Sequence, residues 1–179
     1  MKKKAAIVVG ALVMLALALP LVLPRSAHAE RSITIAAPPL HIYPDIASLR
    51  AWNEWSAWNT RADPSWRPVY TGPDLGVGAA SSWTQSESGP GTQAITDADP
   101  ARGVGYRIVV MGGSLVIDGR IALAPFTGGT RVTWTDEFDL SSGYFMRYFG
   151  PLMGGATESK LDESLAVLKE RAEKRALVQ

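Results

Sequence analysis

The sequence predicts an α+β domain: a curved antiparallel sheet of about six or seven strands wrapped around a long C-terminal helix, with two short helices after the first strand. Three observations carry this. From Trp66 to Leu140, short alternating runs are separated by Gly, Pro and Asp clusters at hairpin intervals. Ahead of them, Leu40 to Trp58 repeats apolar residues at spacings of three and four. Behind them, Leu161, Leu165, Leu168 and Ala172 form a single helical stripe. At 179 residues and 46% hydrophobic composition, the chain holds one ordinary domain with an extension, and two full cores would be crowded.

Arg31 to Ala36 alternates, with Ile33 and Ile35 opposite Ser32 and Thr34, and reads as the first strand until Pro38-Pro39 ends it. In Leu40 to Trp58 the repeat is Ile42, Ile46, Leu49, Trp52 and Trp55. Pro44 fits a first turn but not a helix interior, which predicts two short helices here. They present a cluster of Trp52, Trp55 and Trp58. The strands that follow are expected at Trp66 to Tyr70, Gly78 to Gln85, Thr92 to Asp97, Gly103 to Met111, Ser114 to Pro125 and Thr130 to Leu140. Gly112-Gly113 and Gly128-Gly129 supply the positive-φ residues of tight hairpins. Leu115, Ile117, Ile121 and Leu123 share one face while Asp118 and Arg120 take the other, so one sheet face is buried and one is wet. Lys169 with Glu173 and Glu170 with Lys174 flank the final helical stripe as i,i+4 pairs.

The N-terminus has a different design. Lys2 to Lys4 precede an uncharged run from Ala5 to Pro24, the order of a basic region and an apolar region in an export signal. Pro20, Pro24 and Ala27-His28-Ala29 favour cleavage, with a mature start at Glu30. The same run is long enough to cross the roughly 30 Å hydrocarbon layer as an uncleaved anchor. Residues 1–29 are therefore a signal peptide or a membrane anchor, and residues 30–179 the domain. In either case the Lys cluster stays cytoplasmic and the body faces the far side, in the periplasm or another extracytoplasmic space.

Of the 18 Lys and Arg, four lie in this prefix, which has no acidic residue; the remaining 14 face 17 Asp and Glu, a formal charge of −3 on the body. That offers no basic surface for nucleic acid. The absence of cysteine removes disulfides, zinc–thiolate sites, iron–sulfur clusters and thiol nucleophiles. Beyond the prefix His41 is the only histidine, which excludes a multi-histidine metal centre; beside Pro38-Pro39 it reads as a surface or capping residue. No metal or cofactor is expected. Gly72, Gly76 and Gly78 lie between two strands without the Lys-Ser/Thr pair of a phosphate loop, and read as a turn.

Several stretches together resemble the polyketide cyclase/dehydrase and lipid-transport branch of the SRPBCC (START-like, helix-grip) superfamily. They are Glu30 to Pro39, Asp45 to Trp58, Thr71 to Ala79 ahead of Trp83, Gly129 to Trp134, and Ser164 to Lys169. The resemblance covers nearly the whole body. It implies a deep apolar cavity between the concave sheet face and the C-terminal helix, used across the superfamily for hydrophobic molecules. It does not imply a reaction, because fold and function are loosely linked.

The aromatics Trp55, Trp58, Trp83, Tyr106, Trp134, Phe145 and Tyr148 are the candidates for ligand contact, although large aromatics also dominate plain cores. Counting by twos from Val132 through Trp134 to Phe138 places Asp136 in phase with the apolar side. There its pKa would be raised and it could serve as a general acid or base. A bulge in so long a strand would turn Glu137 inward instead. Tyr144 to Gly155 reads either as a flexible gate or as a helix start delayed by poor helix formers. The expected function is an exported binding or transport module for a hydrophobic small molecule or lipid. A cyclase, dehydratase or hydrolase using Asp136 or Glu137 with Tyr106 is the alternative, and a structural or partner-binding envelope protein is the second alternative.

Overall fold

The computed structural model describes residues 2–87 and 89–178; Gln179, which closes the expected domain, lies outside them. Helix α1 spans Lys2–Ala18, and a 3-10 turn at Leu19–Leu21 leads into β1 (Ser26–Ile35). Two short helices follow, α2 (Pro39–Ile46) and α3 (Leu49–Trp55). The remaining strands are β2 (Val69–Thr71), β3 (Ala80–Trp83), β4 (Gly91–Asp99), β5 (Gly103–Val110), β6 (Leu115–Phe126) and β7 (Gly129–Asp139). A 3-10 turn at Phe145–Tyr148 precedes the long helix α4 (Gly150–Leu177). All seven strands form one antiparallel sheet in the order β1-β7-β6-β5-β4-β3-β2, so chain neighbours pair from β2 to β7 and β1 closes onto β7. This is the expected helix-grip architecture.

The hairpins turn where the glycines demand. Gly112 and Gly113 have φ of 65° and 90° between β5 and β6, and Gly128 has φ of 80° between β6 and β7. Pro39 starts α2 at its first turn, where its missing N–H costs nothing, whereas Pro44 lies within the helix, two residues from its end. The last carbonyls of α2 are capped by indoles: Trp52 Nε1 donates to Ile46 O at 2.8 Å and Trp55 Nε1 to Asp45 O at 3.1 Å. Ser48 caps α3 by accepting from Ala51 N. The tryptophans thus tie the two short helices together and carry their rings inward. The buried Asp45 carboxylate links α2 to α4 through Arg171 Nη2 at 3.2 Å and Arg175 Nη1 at 2.8 Å. Leu161, Leu165, Leu168 and Ala172 bury the predicted α4 stripe, and Lys169 pairs with Glu173 at 3.0 Å.

Most strand ends shift by one or two residues, the strands expected at Trp66 to Tyr70 and Gly78 to Gln85 shrink to Val69–Thr71 and Ala80–Trp83, and two further boundaries bear on the site. The first strand begins at Ser26, five residues before Arg31, because Ser26 to Glu30 pair with Asp139 to Thr135 of β7. α4 begins at Gly150, inside the stretch from Tyr144 to Gly155 that reads as a gate or a delayed helix start, and despite Gly154-Gly155. A Cβ on Gly154 would lie 2.8 Å from His28 O, so the missing side chain lets the helix close onto β1.

Candidate functional site

The strand register assembles the concave face in rows. One row holds Val104, Ile121, Trp134 and Arg31. The next holds Ile95, Tyr106, Gly119, Asp136 and Ala29. A third holds Ser81, Gln93, Ile108, Ile117, Phe138 and Ala27. Strand alternation aims all of these at the short helices and α4.

Against the first two rows, α2 and α3 deliver their indoles. Trp52 lies 5.0 Å from Tyr106 and 5.5 Å from Trp134 between ring centroids, and Trp55 lies 5.3 Å from both Trp52 and Trp134. Tilted and edge-on packing of this kind suits aromatic quadrupoles. Trp58 covers Trp134 at 6.2 Å and is 46% exposed, whereas Trp134 is 1% exposed. The hollow expected between sheet and helices is, in this region, filled by the protein's own rings.

Beneath the indoles is a buried polar chain. Trp134 Nε1 donates to Tyr106 Oη at 2.7 Å, and Tyr106 Oη donates to Asp136 Oδ1. β7 has no bulge, so Asp136 points inward as its phase predicts, and Glu137 points outward to meet His28 Nδ1 at 2.6 Å. The Tyr106 ring lies across Gly119: a Cβ there would sit 2.0 Å from its Cζ. Only a glycine on β6 lets a tyrosine from β5 reach a carboxylate on β7. Burial raises the Asp136 pKa to about 6, against the opposing effect of the hydrogen bonds from Tyr106 and Trp134. Burial first, and then the Asp136 charge, hold the Tyr106 hydroxyl well above its ordinary value. The pair can therefore exchange a proton on Asp136 near neutral pH, while Tyr106 remains a donor.

A raised folded pKa means that the native state holds the proton more tightly than the unfolded chain. The group's stabilising contribution is complete below about pH 4 and is lost as pH rises through about 6. Asp136→Asn removes this dependence. Thermal melts should show the variant gaining about 2 kcal/mol relative to the parent between about pH 4 and pH 8. A difference that does not change with pH would place the carboxylate in water.

The third row is less completely covered. Ile108 and Ile117 face inward but are only partly buried, and Met146 and Met153 also pack partly buried against the core. At its far end Ser81 and Gln93 are 2% and 8% exposed, yet Ser81 Oγ and Gln93 Nε2 have no hydrogen-bond partner among the described residues. Buried polar atoms are rarely left so, and each asks for an explanation.

Of the residues singled out from sequence, Trp55, Tyr106, Trp134 and Asp136 converge, with Trp58 above them. Trp83 lies apart at the end of β3, edge-on to Trp66 at 5.8 Å. Phe145 and Tyr148 lie at the 3-10 turn before α4, beside the end of α1. His41 is half-buried near the start of α2, and its carbonyl accepts from Arg175 Nη1. Gly72, Gly76 and Gly78 form the β2–β3 turn, each with positive φ. Sequence reasoning missed Trp52 as part of the site, as well as Gly119, Gln93 and Ser81. Trp52 was legible three residues before Trp55 on one helical face; the other three become visible only through cross-strand register.

Comparison with known proteins agrees with this architecture. The structure of Ara h 8.0201 is 16% identical, with 86% of this chain and 99% of that chain covered and a TM-score of 0.54. A Thalictrum flavum norcoclaurine synthase point mutant in complex with a transition-state analogue is 12% identical, with 83% and 95% covered and a TM-score of 0.59. The di-domain ARO/CYC protein StfQ from the steffimycin biosynthetic pathway is 12% identical, with 84% of this chain and 52% of that chain covered and a TM-score of 0.58. At such identities these likenesses show the fold alone. No sequence relative among curated proteins matches. The family model for polyketide cyclase / dehydrase and lipid transport matches residues 26–173, and with the helix-grip fold this places the chain in that family of the SRPBCC superfamily.

Proposed function

We propose that the protein binds or carries a hydrophobic small molecule or lipid with one neutral hydrogen-bonding group, on the extracytoplasmic side of a membrane. One observation carries this reading: the third row of the concave face. Partly covered isoleucines there lead to the buried Ser81 Oγ and Gln93 Nε2, which have no hydrogen-bond partner among the described residues. A finished core would cover such isoleucines and pair such atoms, and an apolar ligand with a carbonyl or hydroxyl would do both. Trp58, half exposed over the buried rings, is the side chain best placed to move when a ligand enters. The Lys2 to Lys4 cluster ahead of the apolar α1 supports export, and the family description supports a hydrophobic cargo.

An environment-sensitive naphthylamine dye bearing one carbonyl should saturate at one per folded chain. Gln93→Leu should weaken its binding severalfold with little change in melting temperature. Dye uptake confined to partly denatured protein would remove the reading. Native mass spectrometry of the purified protein should reveal an apolar molecule bound to it.

The buried Asp136–Tyr106 pair favours a second reading, a cyclase- or dehydratase-type enzyme in which Asp136 moves a proton within an apolar pocket. Turnover of an aromatic polyketide model substrate that Asp136→Asn abolishes, with dye binding retained, would establish it over simple carriage.

A further inference from the structure

The Ala27-His28-Ala29 sequence that reads as a cleavage site is also the first half of β1. Ala29 is fully buried opposite Asp136, Ala27 packs against the core opposite Phe138, and Gly154 of α4 rests on the His28 carbonyl. Removing residues up to Ala29 would strip four of the ten residues of this strand and bare the edge of β7 beside the site.

The segment before β1 is also clasped. Pro20 has no N–H to donate to the Ala16 carbonyl, and the Tyr148 hydroxyl donates to it instead. The Tyr144 hydroxyl donates to Leu17 O, the buried Arg147 donates through Nη1 to Pro20 O at 3.0 Å, and Leu140 N donates to Arg25 O at 2.9 Å. These clasps grip the end of α1, while Ile7, Leu12 and Leu15 of α1 are 72%, 59% and 62% exposed. The run Lys2–Leu21, 20 residues with a mean hydropathy of 2.3, has the length of a membrane span.

Around the clasp lies an apolar face. Phe145, Phe149 and Leu152 are 63%, 55% and 72% exposed, and Leu21 and Val22 are also exposed. The exposed Met111 lies at the β5–β6 turn, at the same end of the sheet as Ser26 and Asp139. From Ser141 to Thr157 there is no acidic residue, and the one cation, Arg147, is buried and hydrogen-bonded. Within this segment no exposed charge would need to lose its water on approach to lipid, and the exposed Arg25 and Asp139 lie beside it at the end of the sheet. Tyr144 and Tyr148, bonded to the last turn of α1, are of the amphipathic aromatic type enriched at membrane interfaces.

We propose that α1 stays attached as a membrane anchor and that the face formed by Phe145, Phe149 and Leu152 docks into the interface of the bilayer that α1 spans. The domain is then held at a fixed tilt, with the α1 end of its sheet against the lipid. This docking does not depend on what the interior binds.

The chain has no cysteine, so Phe149→Cys, Leu152→Cys and, as a control on β2, Val69→Cys each give a single thiol for an environment-sensitive fluorophore. Val69 is 61% exposed at the other edge of the sheet. Each full chain is purified from the membrane fraction and reconstituted in vesicles of phosphatidylcholine and phosphatidylglycerol. The labels at 149 and 152 should be quenched by nitroxide lipid and severalfold less accessible to iodide than the label at 69, with an intact mass that retains α1. Iodide access equal to that at 69 would overturn the proposal. Shielding from both quenchers would also overturn it, in favour of a protein partner, as would a mature chain beginning at Glu30.

Discussion

A chain that begins at Glu30 should melt about 10 °C below one that begins at Arg25. The shortened chain loses the pairing of Ser26 to Ala29 with Asp139 to Asp136, and the Leu140 to Arg25 hydrogen bond. The main-chain bonds lost, at roughly 1 kcal/mol each, are largely offset because the entropy cost of ordering the five removed residues disappears with them. The difference therefore comes from what those residues cover. Phe138 and Leu140 are 3% and 0% exposed at this edge, and partial uncovering of two large apolar side chains costs about 3 kcal/mol in all. Circular dichroism melts of the two chains decide it. Superimposable curves would mean that the first half of β1 does not support the fold, and that a mature start at Glu30 is structurally acceptable.

Gly119→Ala should cost about 3 kcal/mol, more than most single-methyl additions, because the methyl meets a ring that cannot stay where it is. The position does not have positive φ, so the alanine backbone fits and the effect is steric. A Cβ would lie 2.0 Å from Tyr106 Cζ and 2.3 Å from its Oη. Moving the ring breaks its bonds to Asp136 and Trp134 and leaves both without that partner in the interior. Tyr106→Phe separates the contributions: it removes the hydroxyl and orphans the same two groups but keeps the ring in place, and should cost about 2 kcal/mol. Chemical denaturation of the three proteins measures this. A Gly119→Ala loss below that of Tyr106→Phe would show that the ring is free to leave β6.

Much of the fold was legible because its causes are local. The glycine pairs mark the β5–β6 and β6–β7 turns, the stripe from Leu161 to Ala172 marks the buried face of α4, and alternation from Val132 placed Asp136 inward without a structure. The misses share a cause. Ser26 to Glu30 does alternate, but its partner strand lies about a hundred residues later, and a cleavage-like motif offered a competing explanation of the same residues. The helical start at Gly150 runs against the propensity of Gly154 and Gly155, which is outweighed by close packing on β1.

The sequence by itself determined the class of domain, the faces of its strands and helix, the apolar N-terminal run and the exclusion of thiol and multi-histidine chemistry, all of which follow from composition and short periods. Tertiary structure decided which residues meet. Register set Gly119 between Tyr106 and Asp136, left Ser81 Oγ and Gln93 Nε2 buried with no hydrogen-bond partner among the described residues, and brought Ala29 against the carboxylate. Those adjacencies join residues tens of positions apart, and no local pattern encodes them, because a strand shows which side of the sheet a residue faces but not which residue of its neighbour it faces.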